Sequence, residues 1–259
     1  MPECVNGSLW QGWRGDSVIR ALYEARRVLL RMATLRFLPL AIALARVAPA
    51  LAQTSAVVDE ATFMISRKGA PIGRESFRII RAPGPGGQVF LTRATSALGE
   101  DRVATTLATD SAGIPVSYEA TLSQRGDVLL RLQGRGRPDR FSMLVQSKGG
   151  EAAREYLVRP GTVLLDDDQF HQFYFILRAA RDSQVTIIAP RTARLETVRL
   201  VDMGLESVPI RGQTITARRL ALVDSAGGRK ELWLDPLGRL LKVSVPEKGL
   251  VALRDDPPR

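Results

Sequence analysis

The chain has very little of the residues that build most nucleophilic and zinc sites: one cysteine, Cys4, and one histidine, His171, in 259 residues. Cys4 precedes the export signal predicted below, so the exported chain would hold no disulfide, thiolate nucleophile or cysteine metal site. One histidine cannot supply the multi-histidine ligand set of a zinc centre. We therefore expect no metal and no cofactor, and a fold that rests on its hydrophobic core alone.

Sequence motifs of the common enzyme classes are also missing. The chain has no G-x-S-x-G, S-x-x-K or H-E-x-x-H sequence. The glycine-rich stretch RAPGPGG at 81–87 is not followed by G-K-[ST], so it predicts a loop and not a phosphate-binding P-loop. The sequence therefore predicts no catalytic residue and a protein that is not an enzyme.

No hydrophobic run is long enough for a comfortable membrane span, which needs about 20 apolar residues. The run Phe37–Ala52 is short, follows Arg36 and ends in Ala-Leu-Ala, which is typical of a secretory signal. We predict a signal peptide over 32–52, cleavage after Ala52, and a periplasmic or secreted product. Residues 1–31 are interpreted as a spurious or disordered extension, or else as a basic amphipathic helix on an anionic membrane. A buried or interfacial helix is the alternative for 32–52.

We call residues 1–52 the leader. Without the leader, the net charge of the chain is moderate. The leader holds seven of the 37 basic and three of the 27 acidic residues, which leaves a net charge of about +6. This balance favours contact with anionic surfaces and does not require nucleic acid. The clearest basic cluster surrounds a predicted hairpin tip, and it is interpreted either as a membrane-surface contact or as a solvated tip: Arg131, Arg135, Arg137 and Arg140.

Most of the chain after the leader alternates apolar and polar residues between turn signals. Phe63 and Ile65 share one face of a strand, Phe77 and Ile79 share a face of the next, and Tyr118 lies in a later one. Strands at this spacing indicate an antiparallel sandwich or barrel. Further strands are predicted at 184–189, 195–201, 206–210, 214–223, 231–234 and 240–245.

One segment, 169–181, departs from this alternation. Phe170, Phe173, Tyr174 and Leu177 are spaced as the apolar stripe of a helix. The acids at 166–168 precede it, so an aspartate N-cap is predicted. His171 is placed off the stripe, as a solvated or singly hydrogen-bonded side chain. The fold class is therefore mainly β: one domain over 55–254, a strongly curved antiparallel sheet (a half-open barrel, or β-clam) with one amphipathic helix on its concave face.

Three stretches carry a family resemblance: FMISRKGAPIGRESFRI, DDDQFHQFYFILRA and the closing hairpins, with W-L-D-x-x-G-R-L-L-K at 233–242. Together they resemble bacterial exported proteins of unknown function whose fold is similar to the outer-membrane lipoprotein carriers (LolA/LolB-like). The resemblance implies a half-barrel closed by helices. It names no catalytic residue.

The leading functional hypothesis is an exported envelope protein that binds an apolar or amphipathic ligand, such as a lipid, without transforming it. Its expected ligand-binding residues line the concave face: Phe63, Ile65, Phe77, Ile79, Tyr118, Phe170, Phe173, Tyr174 and Leu177. The second hypothesis is a structural or assembly factor of the envelope with a filled core. The third is a hydrolase that uses His171 and the nearby aspartates.

Overall fold

The computed structural model describes residues 55–84 and 86–258. The predicted extension at 1–31 and signal peptide at 32–52 lie outside these residues. The described chain forms fifteen strands: β1 Ala56–Arg67, β2 Ala70–Gly84, β3 Gly87–Leu98, β4 Asp101–Asp110, β5 Pro115–Gln124, β6 Asp127–Gly136, β7 Arg140–Ser147, β8 Gly150–Leu157, β9 Thr162–Leu164, β10 Gln184–Ala189, β11 Arg194–Ile210, β12 Gln213–Val223, β13 Arg229–Leu234, β14 Leu240–Val245 and β15 Leu250–Arg254.

All these strands belong to one sheet, in the order β8-β7-β6-β5-β4-β3-β2-β1-β15-β14-β13-β12-β11-β10-β9. Every neighbouring pair is antiparallel except β9 with β10. We call strands β2–β8 and strands β9–β15, on either side of β1, the two arms of the sheet. The arms curl toward each other, so that β9 packs against β5. The fold is therefore the mainly β, curved, barrel-like sheet that the sequence predicts.

The curvature encloses one large hydrophobic core on the concave face. Alternate residues of the strands point into it, as the buried Phe63 and Ile65 of β1 and Phe77 and Ile79 of β2 show. Their alternation with exposed residues is the period-2 pattern of a sheet with one covered face.

The predicted helix is present but much shorter than 169–181. The chain forms a 3₁₀ turn, η1, at Phe170–Phe175, and then one α turn, α1, at Ile176–Ala179. All six residues of η1 are buried, including His171 and Gln172, so this part is not amphipathic. We call Phe170–Ala179 the helical segment. A second 3₁₀ turn, η2, lies at Pro246–Lys248.

The stretch W-L-D-x-x-G-R-L-L-K is a hairpin between β13 and β14. Leu234 and Leu240 belong to the main core, whereas Trp233 and Leu241 belong to a small second core with Val208, Ile210 and Ala217. Asp235 accepts hydrogen bonds from the backbone N–H groups of Leu237 and Arg239, which shapes the turn. Trp233, Leu234, Asp235, Leu240 and Leu241 of this motif thus make structural contacts, whereas Leu237 is exposed.

Candidate functional site

The nine residues expected to bind a ligand lie together in the main core. Leu177 is partly buried, and the other eight have at most 6% of their surface exposed. Their packing is direct: the rings of Phe63 and Phe77 stack with centroids 5.2 Å apart, and Tyr174 meets Phe175 edge to face at 5.3 Å. These side chains therefore fill the concave face beneath the helical segment. Their contact with a ligand stays a prediction.

Glu75 of β2 fastens the helical segment to the sheet. Its carboxylate is fully buried and accepts hydrogen bonds from the backbone N–H of Phe170 at 2.9 Å and of His171 at 2.6 Å. It also lies 3.0 Å from Nδ1 of His171. A carboxylate can accept all three because it has several lone pairs and no proton of its own. The start of η1 is thus held by an acid from another strand.

His171 is buried rather than solvated, with 1% of its surface exposed. Its side chain forms a single hydrogen bond near a helix start, as predicted, but the partner is Glu75 and not one of the nearby aspartates. Its ring stacks on Phe77, and Nε2 is buried without a hydrogen-bond partner. His171 is therefore paired with Glu75 and not with the aspartates that the hydrolase hypothesis names, and that hypothesis stays a prediction.

Asp166 joins the two arms of the sheet. It accepts hydrogen bonds from Tyr118 Oη of β5 at 2.8 Å and from Arg191 Nε, in the loop after β10, at 3.0 Å. Its own N–H donates to Gln172 Oε1 at 2.6 Å. These bonds close the barrel-like sheet through side chains at a place where its strands do not pair.

Burial controls the acid–base properties of this junction. Desolvation raises the pKa of Asp166 even though the neighbouring Arg191 opposes the shift. Desolvation and the nearby Asp166 raise the pKa of Tyr118 well above its usual value. Burial is the largest single effect on Arg191 and lowers its pKa, but the combined attraction of Asp166, Tyr118 and Asp168 outweighs burial, so the pKa of Arg191 is raised. The junction is a structural hydrogen-bonded cluster with one ion pair.

The aspartate N-cap of the helix is a wrong prediction. Gln169 is the N-cap residue, and its side chain makes no capping hydrogen bond. Asp166 is used at the junction, and the more exposed Asp167 and Asp168 form ion pairs with Lys248 at 3.6 and 3.3 Å. Glu75, far away in sequence, takes the place of the cap because it reaches the free N–H groups of η1 from the sheet.

A cavity lies beside the N-terminal half of β1. Only Phe63–Arg67 of β1 pair with β15, so Ala56–Thr62 have a strand neighbour, β2, on one side only. The cavity, of about 480 Å³, opens between this half of β1 and the C-terminal tail. Its lining mixes apolar and charged residues: Val57, Val58, Asp59, Glu60, Ala61, Thr62, Ser76, Phe77, Arg239, Arg254, Asp256 and Pro257.

A buried ion pair forms one wall of this cavity. Arg254 donates to both carboxylate oxygens of Asp59, at 2.7 and 3.1 Å, and to the carbonyl oxygens of Glu60, Leu240 and Asp256. Every N–H donor of the Arg254 guanidinium has an acceptor, so the side chain is held in one position. The sequence reasoning missed it. The available signal was that Asp59 shares the inward phase of Phe63 and Ile65, where a charge needs a buried partner.

The predicted basic cluster is partly neutralised. Arg135 lies 3.8 Å from Glu119, and Arg140 lies 3.0 Å from Glu155. A separate groove of about 370 Å³ on β6–β8 includes Arg135, Arg137 and Glu155 in its lining. Membrane contact through Arg131, Arg135, Arg137 and Arg140 stays a prediction. Among residues 55–84 and 86–258, no helix is long and apolar enough to cross a membrane, and no three His, Cys, Asp or Glu residues converge as a metal site.

The fold and its cavity define a barrel-like β protein, and comparisons with known proteins identify nothing more specific. No family model and no curated protein matches the chain. Among solved structures, it is similar to a β-barrel-like protein of the domain of unknown function DUF1849 from Brucella abortus, with 13% identity, a TM-score of 0.46, and coverage of 78% of this chain and 96% of that chain. A DUF1089 family protein from Pseudomonas aeruginosa has 12% identity, a TM-score of 0.34, and coverage of 82% and 94%.

Proposed function

We propose that this is an exported envelope protein that binds a small amphipathic ligand, such as a single-chain lipid, in the cavity beside β1 and does not transform it. The observation that carries the proposal is the cavity itself. Its volume of about 480 Å³ falls in the range of small-molecule sites. Its wall offers apolar surface from Val58, Ala61 and Phe77 next to the charged Asp59 and Arg254.

This site differs from the one expected under the helical segment, and Phe77 is the residue that the two share. Phe170 and Phe173 are buried members of the main core, so a ligand there would have to displace side chains. The gap beside β1 needs no such displacement, because β15 ends opposite Phe63 and no strand pairs with Ala56–Thr62 on that side. A lining that mixes apolar and charged residues also suits a ligand with one apolar and one hydrated end.

A cavity-filling variant tests the proposal. Ala61 lines the cavity, so Ala61→Trp should block it, whereas Ala104→Trp places the same side chain on the exposed face of β4. Native mass spectrometry of both variants, purified from their own envelope fraction, should show a bound amphiphile with Ala104→Trp and a loss of at least about 10-fold with Ala61→Trp. Equal occupancy in two folded variants would contradict the proposal.

The packed core favours a second candidate, a structural or assembly factor of the envelope that acts through protein contacts. The exposed strand β8 ends the sheet, and its outward residue Leu157 is 51% exposed. Photo-crosslinking from position 157 in cells separates the candidates. A defined protein adduct, together with no amphiphile in the cavity, would favour the assembly role.

A further inference from the structure

We infer that the cavity beside β1 selects amphiphiles with a cationic head group, an amine or a quaternary ammonium. This inference rests on the proposed function and assigns the chemical class of its ligand. It runs against the net positive charge of the chain, which by itself favours anionic partners. The cavity differs from the chain as a whole because its arginines are paired with buried carboxylates, whereas two of its acids are exposed.

Both cations of the lining are committed to buried carboxylates. The Arg254 side chain is 4% exposed and donates its hydrogen bonds to Asp59 and three carbonyl oxygens. Arg239 pairs with Asp235 at 2.7 Å, and their side chains are 16% and 4% exposed. Removing either cation from its partner would leave a buried carboxylate without compensation, which is costly. Neither arginine is therefore ready to turn toward an anionic head group.

The other two acids of the lining are held far less firmly. Glu60 is 62% exposed and lies 3.7 Å from the exposed Arg78. Asp256 is 64% exposed and lies 3.0 Å from the exposed Arg211. Arg78 and Arg211 do not belong to the cavity lining. Because exposed ion pairs contribute little and exchange readily with water, both carboxylates can turn toward a ligand.

The lining thus offers accessible negative charge at its hydrated side and apolar surface at Val58, Ala61 and Phe77. An exposed ion pair contributes up to about 1 kcal/mol, which corresponds to a preference of about 5-fold for a cationic head group. An anion of the same shape meets repulsion from the same groups. The chemistry that fits is an apolar chain with a positively charged end.

Three ligands with ten-carbon chains test this inference: decyltrimethylammonium, decanoate and decyl maltoside, titrated below their micelle concentrations by calorimetry. The cationic ligand should bind the protein at least about 5-fold more tightly than decanoate. Glu60→Gln and Asp256→Asn should each reduce that ratio by about 2-fold or more. Glu119→Gln is the matched control, because Glu119 is 59% exposed and lies 3.8 Å from Arg135 outside the cavity lining.

The outcomes separate this inference from the proposed function. If decyl maltoside binds while decanoate binds as well as or better than the cation, the cavity takes amphiphiles and the inferred head-group class is wrong. If none of the three ligands binds the folded protein, the proposed function fails. If the cation is preferred but Glu119→Gln weakens the preference as much as Glu60→Gln does, the selectivity reflects general charge and the assignment to this cavity is wrong.

Discussion

Replacing Glu75 by glutamine should destabilise the protein strongly, although the two side chains have nearly the same shape. The carboxylate accepts three hydrogen bonds from Phe170 and His171 and is fully buried. A glutamine amide must point its NH₂ group at one of these N–H donors, so at least one buried hydrogen bond is lost. Hydrogen bonds to charged groups contribute about 1.5–3 kcal/mol each, and an orphaned buried donor adds a desolvation cost. We expect a loss of about 3 kcal/mol.

Urea and thermal unfolding followed by circular dichroism measure this loss. For a chain of this size, about 3 kcal/mol corresponds to a decrease in Tm of roughly 6–12 °C. Glu119→Gln, the same substitution at an exposed position, should change stability by less than about 0.5 kcal/mol. A Glu75→Gln variant within about 1 kcal/mol of the wild type would refute the view that this carboxylate holds the helical segment.

Three further predictions concern other parts of the molecule. Asp59→Asn should cost about 3–5 kcal/mol in urea unfolding, because it leaves Arg254 as a buried charge without its partner; a cost below 1 kcal/mol would show that water reaches the pair. The pKa of Tyr118 is raised in the folded state, so its contribution to stability is complete below its unfolded pKa of about 10 and is lost as pH rises through the folded value. Tyr118→Phe should therefore flatten the decline in stability above about pH 10, and an unchanged decline would assign it to other groups. N-terminal sequencing of the exported protein should begin at Gln53, and an intact N-terminus would disprove the predicted cleavage.

Sequence periodicity predicted strands such as β1 and β2 because their inward residues alternate with outward ones. The strands expected at 184–189 and 240–245 agree with β10 and β14 to the residue. The two strands expected at 195–201 and 206–210 form one strand, β11, with an irregularity between Asp202 and Leu205. Gly204 has a φ of 86° there, a conformation that glycine adopts without strain and that local pattern reading interprets as a break.

Strands β7 and β8 were missed for different reasons. In β7, the inward Phe141 and Met143 are separated by Ser142, but the apolar run Met143–Val145 interrupts the alternation. Strand β8 is an exposed edge with Tyr156 as its only buried residue, so it carries almost no hydrophobic pattern. An edge strand is defined by backbone pairing to its neighbour more than by its own composition.

The helical segment shows where local patterns stop being informative. The spacing of Phe170, Phe173 and Tyr174 predicts burial correctly, but His171 and Gln172 are buried too. They are buried because Glu75 and Asp166 offer them partners, one of which lies 96 residues away in sequence. A long-range polar contact of this kind leaves no trace in hydrophobic periodicity. The same reason hid the pairing of Asp59 with Arg254, which are 195 residues apart.

The central claim, that an amphipathic ligand sits beside β1, is tested most directly by amide chemical-shift mapping. Titration of the isotope-labelled protein with decyltrimethylammonium should move the resonances of Val58, Ala61 and Asp256 most strongly, and those of Phe170 and Phe173 little. The largest changes at Phe170 and Phe173, with Val58 and Ala61 unmoved, would place the ligand under the helical segment and contradict the claim.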